Sequence, residues 1–343
     1  NKLMVNKPEM NGGSFMFKRL LCGLAAIALL ACAAGCRQEA VGDPLENEAD
    51  GQNLEHSTSS GNEGYRRTVL YYATDDGFVV PVMKMIPWEE GIGKAALGYL
   101  MDTDANRASA ALMGLKTVIP EGTELSLRID SEGEATLDFS GFTPHASVEE
   151  ERTMVTAVVN TLAEFSSIDS VRITLDGQKV STLPNGTNVK QAMTPFALNT
   201  EDGEISAGTE GATALTLYFP NRSASLNVPV TRYTEEGSGI ETAMRALIKG
   251  PENAALRCCF PEGTELISAD LFDGVATVNV SAEFLSAQYT EGLDAAAYTT
   301  MYLTANALEP IYELNILVEG EPYEFSAAVS APLYVNEFAS LGG

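Results

Sequence analysis

Pro120-Glu-Gly-Thr-Glu-Leu125 recurs letter for letter as Pro261-Glu-Gly-Thr-Glu-Leu266, 141 residues later. Ala135-Thr-Leu-Asp-Phe-Ser140 answers to Ala276-Thr-Val-Asn-Val-Ser281 at the same offset. Two matching segments at one fixed offset mean that a single module occurs twice, and this constrains the fold more than composition does. With 343 residues and 45% hydrophobic content, the chain suits two domains of about 100–200 residues each.

The periodicity gives each copy the same order of elements. Thr68–Tyr72 and Leu215–Phe219 are apolar, β-prone runs. Phe78–Val82 and Asn227–Val230 follow as second strands, and Pro81 argues that the first of these is short or at a sheet edge. Ile92, Ala95, Ala96, Tyr99 and Leu100 form a helical stripe, matched by Ile240, Ala243, Met244, Leu247 and Ile248. Ser238 with Glu241 reads as a capping box, and Lys249-Gly250-Pro251 as a helix stop. The first copy carries seven extra residues within Asp102–Leu115. A hairpin comes next, turning at Ser131-Glu132-Gly133 in one copy and at Asp273-Gly274 in the other. A second helix follows, capped by Ser147 with Glu150 in the first copy and by Thr290 in the second. A last strand closes each copy, at Val171–Leu175 and Leu314–Val318. The predicted fold is α+β: two tandem β-β-α-β-β-α-β modules, each a two-layer sandwich with its helices on one face of a small mixed sheet.

The N-terminal region reads differently. Lys18-Arg19 precedes an apolar run from Leu20 to Ala34, which ends in Ala33-Ala34-Gly35-Cys36. A basic flank, a short apolar stretch and small residues describe a secretory signal. The run is short of the roughly 20 residues a membrane-spanning helix needs. A Cys directly after the small residues resembles the lipobox of bacterial lipoproteins. Cys36 is therefore the expected lipidation site, with Cys32 the alternative. Met16-Phe-Lys-Arg19 reads as a better start than Asn1, which makes residues 1–15 an upstream extension or an artefact of the assigned start. From Gln38 to Gly64 there are seven Asp/Glu and no Lys or Arg. Such a segment buries too little apolar surface to offset ordering entropy and is expected to be a flexible tether. The expected organisation is a signal peptide with lipobox over 1–36, a disordered acidic tether over 37–66, a first module over 67–198, a linker over 199–213 and a second module over 214–338.

Charge and residue inventory narrow the function. The formal net charge is −26 and the pI about 4.3, so a nucleic-acid partner is excluded on electrostatic grounds. Two His and five Cys, three of them before residue 40, leave little for a metal centre. Gly91-Ile92-Gly93-Lys94 lacks the rest of a phosphate loop and reads as a helix entry. His145 has no Ser or Cys motif beside it and reads as a loop histidine. Trp88 reads as a packing staple before the first helix. Cys258-Cys259 reads as two small apolar residues entering the core, with a redox pair as the competing reading. No catalytic, cofactor-binding or metal-binding residues are expected, and no cofactor.

Leu217–Asn221, Val228-Pro-Val-Thr-Arg-Tyr233, Leu247-Ile-Lys-Gly-Pro251, Pro261-Glu-Gly-Thr264, Asp273–Val278 and Ser281-Ala-Glu-Phe284 together resemble the GerMN domain, the sporulation and spore germination domain of Gram-positive bacteria. The second module matches well and the first more weakly. The resemblance implies a non-enzymatic lipoprotein outside the cytoplasmic membrane. Such a protein helps to assemble the channel complex between mother cell and forespore, and its partners are other envelope or sporulation proteins. It also implies domains similar to ring-building folds, hence a homo-oligomer or ring as a further expectation. The alternative reading is a cell-wall, carbohydrate or solute-binding lipoprotein.

Overall fold

The computed structural model describes residues 64–201 and 203–338. The signal segment, both candidate lipidation cysteines and the tether as far as residue 63 lie outside the described residues.

In the first module β1 (Tyr65–Thr74) and β2 (Val79–Pro87) form an antiparallel hairpin, joined at its far end by β3 (Leu115–Lys116). Helices α1 (Ile92–Gly98) and α2 (Asp104–Ala111) follow the hairpin. A mixed sheet then runs β4 (Glu124–Ile129), β5 (Glu134–Ser140), β6 (Ser170–Leu175) and β7 (Gln178–Lys179), in that spatial order. β5 and β6 are parallel, so the chain must cross over between them, and α3 (Val148–Ala163) makes that crossover. The second module repeats the plan. β8 (Thr213–Pro220) and β9 (Asn227–Thr234) make the hairpin, followed by α4 (Ile240–Lys249). The mixed sheet is β10 (Leu266–Phe272), β11 (Val275–Val280), β12 (Glu313–Val318) and β13 (Glu321–Pro322). A 3-10 helix (Ala282–Tyr289) and α5 (Leu293–Leu308) connect β11 to its parallel neighbour β12.

The α+β class and the order of the main elements hold, with two refinements. The strands of each module lie in two sheets, because the free edge of each opening strand is met by a helix. Tyr71 N donates to Thr161 Oγ1 at 2.9 Å, and Tyr218 N donates to Thr304 Oγ1 at 3.2 Å. A helix hydroxyl thus takes the bond that a neighbouring strand would have made, so the hairpin and the mixed sheet stay separate. The extra residues of the first module fold as α2, whose Thr103 side chain accepts from Asn106 N.

One face of each mixed sheet is dry. Ala135, Leu137 and Phe139 of β5 are fully buried, while Thr136 and Asp138 between them remain partly accessible. Ala276, Val278 and Val280 repeat this in β11. Met154, Val158 and Leu162 of α3, and Ala297 and Met301 of α5, are buried in the same hydrophobic core as those strand residues.

Of the three predicted caps, Ser147 is the one the structure retains. Its Oγ accepts from Glu150 N at 3.1 Å, and Glu150 Oε2 accepts from Ala146 N at 3.0 Å. Replacing it, Ser147→Ala, is expected to destabilise the first module by about 1 kcal/mol in urea titrations. Ser238 does not cap α4. The chain enters that helix at Gly239, and Glu241 instead pairs with Arg245 one turn on. Thr290 does not cap α5 either, since the N-cap is Gly292 in the left-handed region at φ 71°. The predicted stop at Gly250 is present, with φ 90°, a conformation that favours glycine.

Candidate interaction surfaces

Of the residues singled out in the sequence, His145, Gly93 and Cys259 pack into the protein, whereas Cys258, expected to enter the core, and Trp88 are exposed. His145 Nε2 lies 3.4 Å from Met154 Sδ, and its ring packs edge-on against Phe142. Burial lowers its pKa, outweighing the nearby Glu150 and Glu151. Cys258 is exposed, Cys259 is buried, and both are free. Burial, with Cys258 alongside, pushes the Cys259 thiol up to about 12, which leaves it protonated and a poor nucleophile at neutral pH. Gly93 is a packing glycine, because a Cβ there would meet Leu127 Cδ2 at 3.0 Å. Trp88 departs from expectation: it is 63% exposed and does not staple α1, and the Arg66 guanidinium sits 5.6 Å from its ring centre. Among the described residues no three His, Cys, Asp or Glu side chains group to hold a metal ion.

The geometry that stands out lies where the modules meet. β2 and β9 are edge strands, and Pro81 and Pro229 occupy equivalent positions in them, paired with Tyr71 and Tyr218. Asn199, at the end of the first module, clamps both edges. Its Oδ1 accepts from Val79 N at 2.8 Å, and its Nδ2 donates to Val79 O at 2.8 Å and to Pro229 O at 2.6 Å. Asn336, at the end of the second module, does the reciprocal job. Its Oδ1 accepts from Asn227 N at 2.7 Å, and its Nδ2 donates to Asn227 O and Pro81 O, both at 2.9 Å.

The backbones complete an exchange of straps. Thr231 of β9 bonds Leu198 O and Glu201 N, while Met83 of β2 bonds Asn336 O and Phe338 N, all at 2.8 to 3.0 Å. Each module therefore lays its trailing segment along the outer edge of the other. Residues 199–201, read from sequence as linker, form one of these straps.

Two residues past each asparagine the straps lock differently. Glu201 Oε2 receives Arg232 Nε at 2.6 Å, with side chains only 5% and 12% exposed. Arg232 also donates to Ala246 O and Gly250 O at 2.8 Å, satisfying carbonyls at the end of α4. Glu201 Oε1 accepts from Glu252 N at 2.9 Å. At the equivalent place in the first module Phe338 faces Lys84, whose Nζ lies 4.2 Å from the ring centre. Burial lowers the pKa of that ammonium.

A second repeated device is a buried carboxylate in the first turn of the long helix. Glu151 accepts from Asn185 N at 2.8 Å and Thr187 N at 2.9 Å. Asp294 accepts from Ser326 N at 2.7 Å, Ser326 Oγ at 3.0 Å and Ala295 N at 2.8 Å. Burial opposes ionisation of both, but the donated bonds outweigh it and hold each pKa below its ordinary value. Sequence reading missed these carboxylates and both asparagines. The signal that was available is positional: an Asn two residues before Glu201 and before Phe338, and an acid four residues after Ser147.

A cleft of about 770 Å³ opens beside the Arg232 lock, lined by Tyr233, Arg245, Lys249, Glu252 and Glu265 among others. Some of its charges are paired within the protein, as in Arg232 with Glu201 and Arg245 with Glu236.

Comparison with known proteins agrees with this architecture. The family described as "Sporulation and spore germination" matches residues 69–181 and 216–324, one stretch in each module. The spore germination protein GerM of Bacillus subtilis is 28% identical over 291 residues, covering 78% of this chain and 77% of that protein. The solved structure of the tandem GerMN domains of the sporulation protein GerM from Bacillus subtilis superposes with a TM-score of 0.63 at 25% identity, covering 80% of this chain and 99% of that one. With both repeats matched and the tandem arrangement shared, the chain belongs to the sporulation and spore germination family.

Proposed function

We propose that this protein is a non-enzymatic, lipid-anchored scaffold on the outer face of the cytoplasmic membrane, acting in sporulation by helping to assemble a multiprotein complex between mother cell and forespore. The observation that carries this reading is the strap exchange. Two copies of one fold, interlocked at their edge strands, hold two different surfaces in one fixed relation, which is what an assembly platform requires. The family supports the sporulation setting, and the Gly35-Cys36 sequence supports the anchor. No helix among the described residues is long and apolar enough to cross a membrane. The alternative of a carbohydrate- or solute-binding lipoprotein has less support, because the large cleft offers one aromatic side chain, Tyr233, for stacking.

Fractionation of sporulating cells tests the anchor. Wild-type protein is expected in the membrane pellet, Cys36→Ala in the soluble fraction, and Cys32→Ala in the pellet. Inhibition of lipoprotein signal peptidase is expected to slow the wild-type band on a gel. Unchanged fractionation of Cys36→Ala would sink the lipoprotein reading. Binding to purified peptidoglycan at levels matching a known wall protein would favour the alternative.

A further inference from the structure

Residues at equivalent exposed positions around the hairpin turn of the two mixed sheets differ between the copies. Phe272 ends β10 where the strand register of the first module places Asp130, and Tyr312 precedes β12 where the first module has Asp169. The equivalence is geometric. Asp169 N and Ser170 N donate to Gly133 O at 2.9 and 3.3 Å, and Tyr312 N and Glu313 N donate to Gly274 O at 2.9 and 3.4 Å. A Cβ on Gly133 would meet the Asp169 carboxylate, and one on Gly274 would lie 2.6 Å from the Tyr312 ring. The same turn thus presents polar side chains in one copy and aromatic ones in the other. Phe272 is 81% exposed and Tyr312 68%. Farther along β10, Ile267 is exposed as the unpaired residue between Leu266 and Ser268. β10 is itself a sheet edge, and its pairing to β11 is irregular between Leu266 and Ser268.

The charge around this rim is of one sign. From Cys258 to the last residue the chain has 13 Asp/Glu and no Lys or Arg. Asp270, Asp273, Glu309 and Glu313 flank the two aromatics in sequence. In the first module the corresponding sheet face neutralises Glu134 with a two-bond pair to Arg172, at 2.6 and 2.9 Å; the equivalent positions in the second are Val275 and Asn315. Exposed aromatics in an acidic field repel a second copy of the same surface and repel anionic lipid, and they complement a cationic protein surface.

We propose that the aromatic rim of the second module, Phe272 and Tyr312, docks a partner protein that presents Lys or Arg around an apolar pocket. The inference deepens the scaffold reading and rests on it, by assigning the assembly contact to the second module. The aromatics supply the buried anchors of such an interface, and the acidic residues supply its charged rim.

The test uses the full chain in sporulating cells, with the photocrosslinker benzoylphenylalanine placed at position 272 and, as control, at position 130. Light is expected to give a discrete protein adduct at 272 and none at 130. Mass spectrometry of the adduct is expected to place a Lys or Arg within a few residues of the crosslinked site. Adding Tyr312→Asp, the first-module residue, should lower the adduct yield about tenfold or more, as expected for a hot-spot aromatic, with the melting temperature of the purified protein unchanged. Membrane fractionation of the same cells reports separately on the anchor. An adduct at twice the chain mass, an adduct to lipid, an acidic partner site, equal yield at 130, or no adduct from protein that fractionates normally would each overturn the proposal.

Discussion

Arg232→Met is expected to lower the unfolding free energy of the protein by about 3–5 kcal/mol, the cost typical of breaking a buried ion pair by removing one partner. The side chains involved are almost completely enclosed. Methionine keeps the aliphatic length but leaves the Glu201 carboxylate inside the junction with only the Glu252 amide as donor. It also strands the Ala246 and Gly250 carbonyls at the end of α4. Urea denaturation followed by circular dichroism measures the loss. A companion double variant, Arg232→Met with Glu201→Leu, is expected to recover much of it, because replacing both members of a buried pair by apolar groups removes the uncompensated charge. If the single variant were within 1 kcal/mol of wild type, the lock would carry no weight in holding strap to module.

Asp294→Ala is the second large effect, at about 3 kcal/mol at neutral pH, since three donors lose a charged acceptor in a buried place. Glu151→Ala removes two such bonds in the first module and is expected to cost about 2 kcal/mol. The pH dependence has a definite sign. Both carboxyls titrate below their ordinary values of 3.8 and 4.5 in the folded protein. Their stabilisation is therefore fully present above the unfolded-state pKa values and is lost as the pH falls through the depressed folded ones. Chemical denaturation at pH 7 and again at pH 3 or below should show the wild-type advantage over Asp294→Asn shrinking on acidification. An advantage that grew on acidification would contradict the assignment of an ionised acceptor.

Local patterns were legible in the sequence because they are set by neighbours in the chain. The repeated Pro-Glu-Gly-Thr-Glu-Leu marks the entry to β4 and β10, the Asp273-Gly274 turn joins β10 to β11, and the helix stripes point inward as spacing requires. The cap predictions show the limit of this. Ser147 and Ser238 sit in the same pattern, yet a glycine next to Ser238 lets the chain enter α4 without the side-chain bond. The division of each module into two sheets depends on Thr161 and Thr304, helix threonines whose hydroxyls find a strand some 90 residues away. The junction was invisible for a related reason. Asn199 lies in a polar stretch with the composition of a linker, and only its partners, Val79 and Pro229, make it structural. Arg232 was visible as part of a family motif, but its partner Glu201 precedes it by 31 residues. The exposed aromatics at Phe272 and Tyr312 gain meaning only when the two copies are compared position by position.

The strap exchange also governs the order in which the chain can become whole. Asn336 bonds Pro81 across 255 residues of sequence. During synthesis the outer edge of β2 emerges early and must wait for residues 336–338 before it is paired. Until then it is an open strand edge, the kind of surface that chaperones cover and that unfinished chains aggregate through. A chain lacking residues 336–338 would lack the Asn336 bonds to Met83 and Pro81 and would carry that open edge.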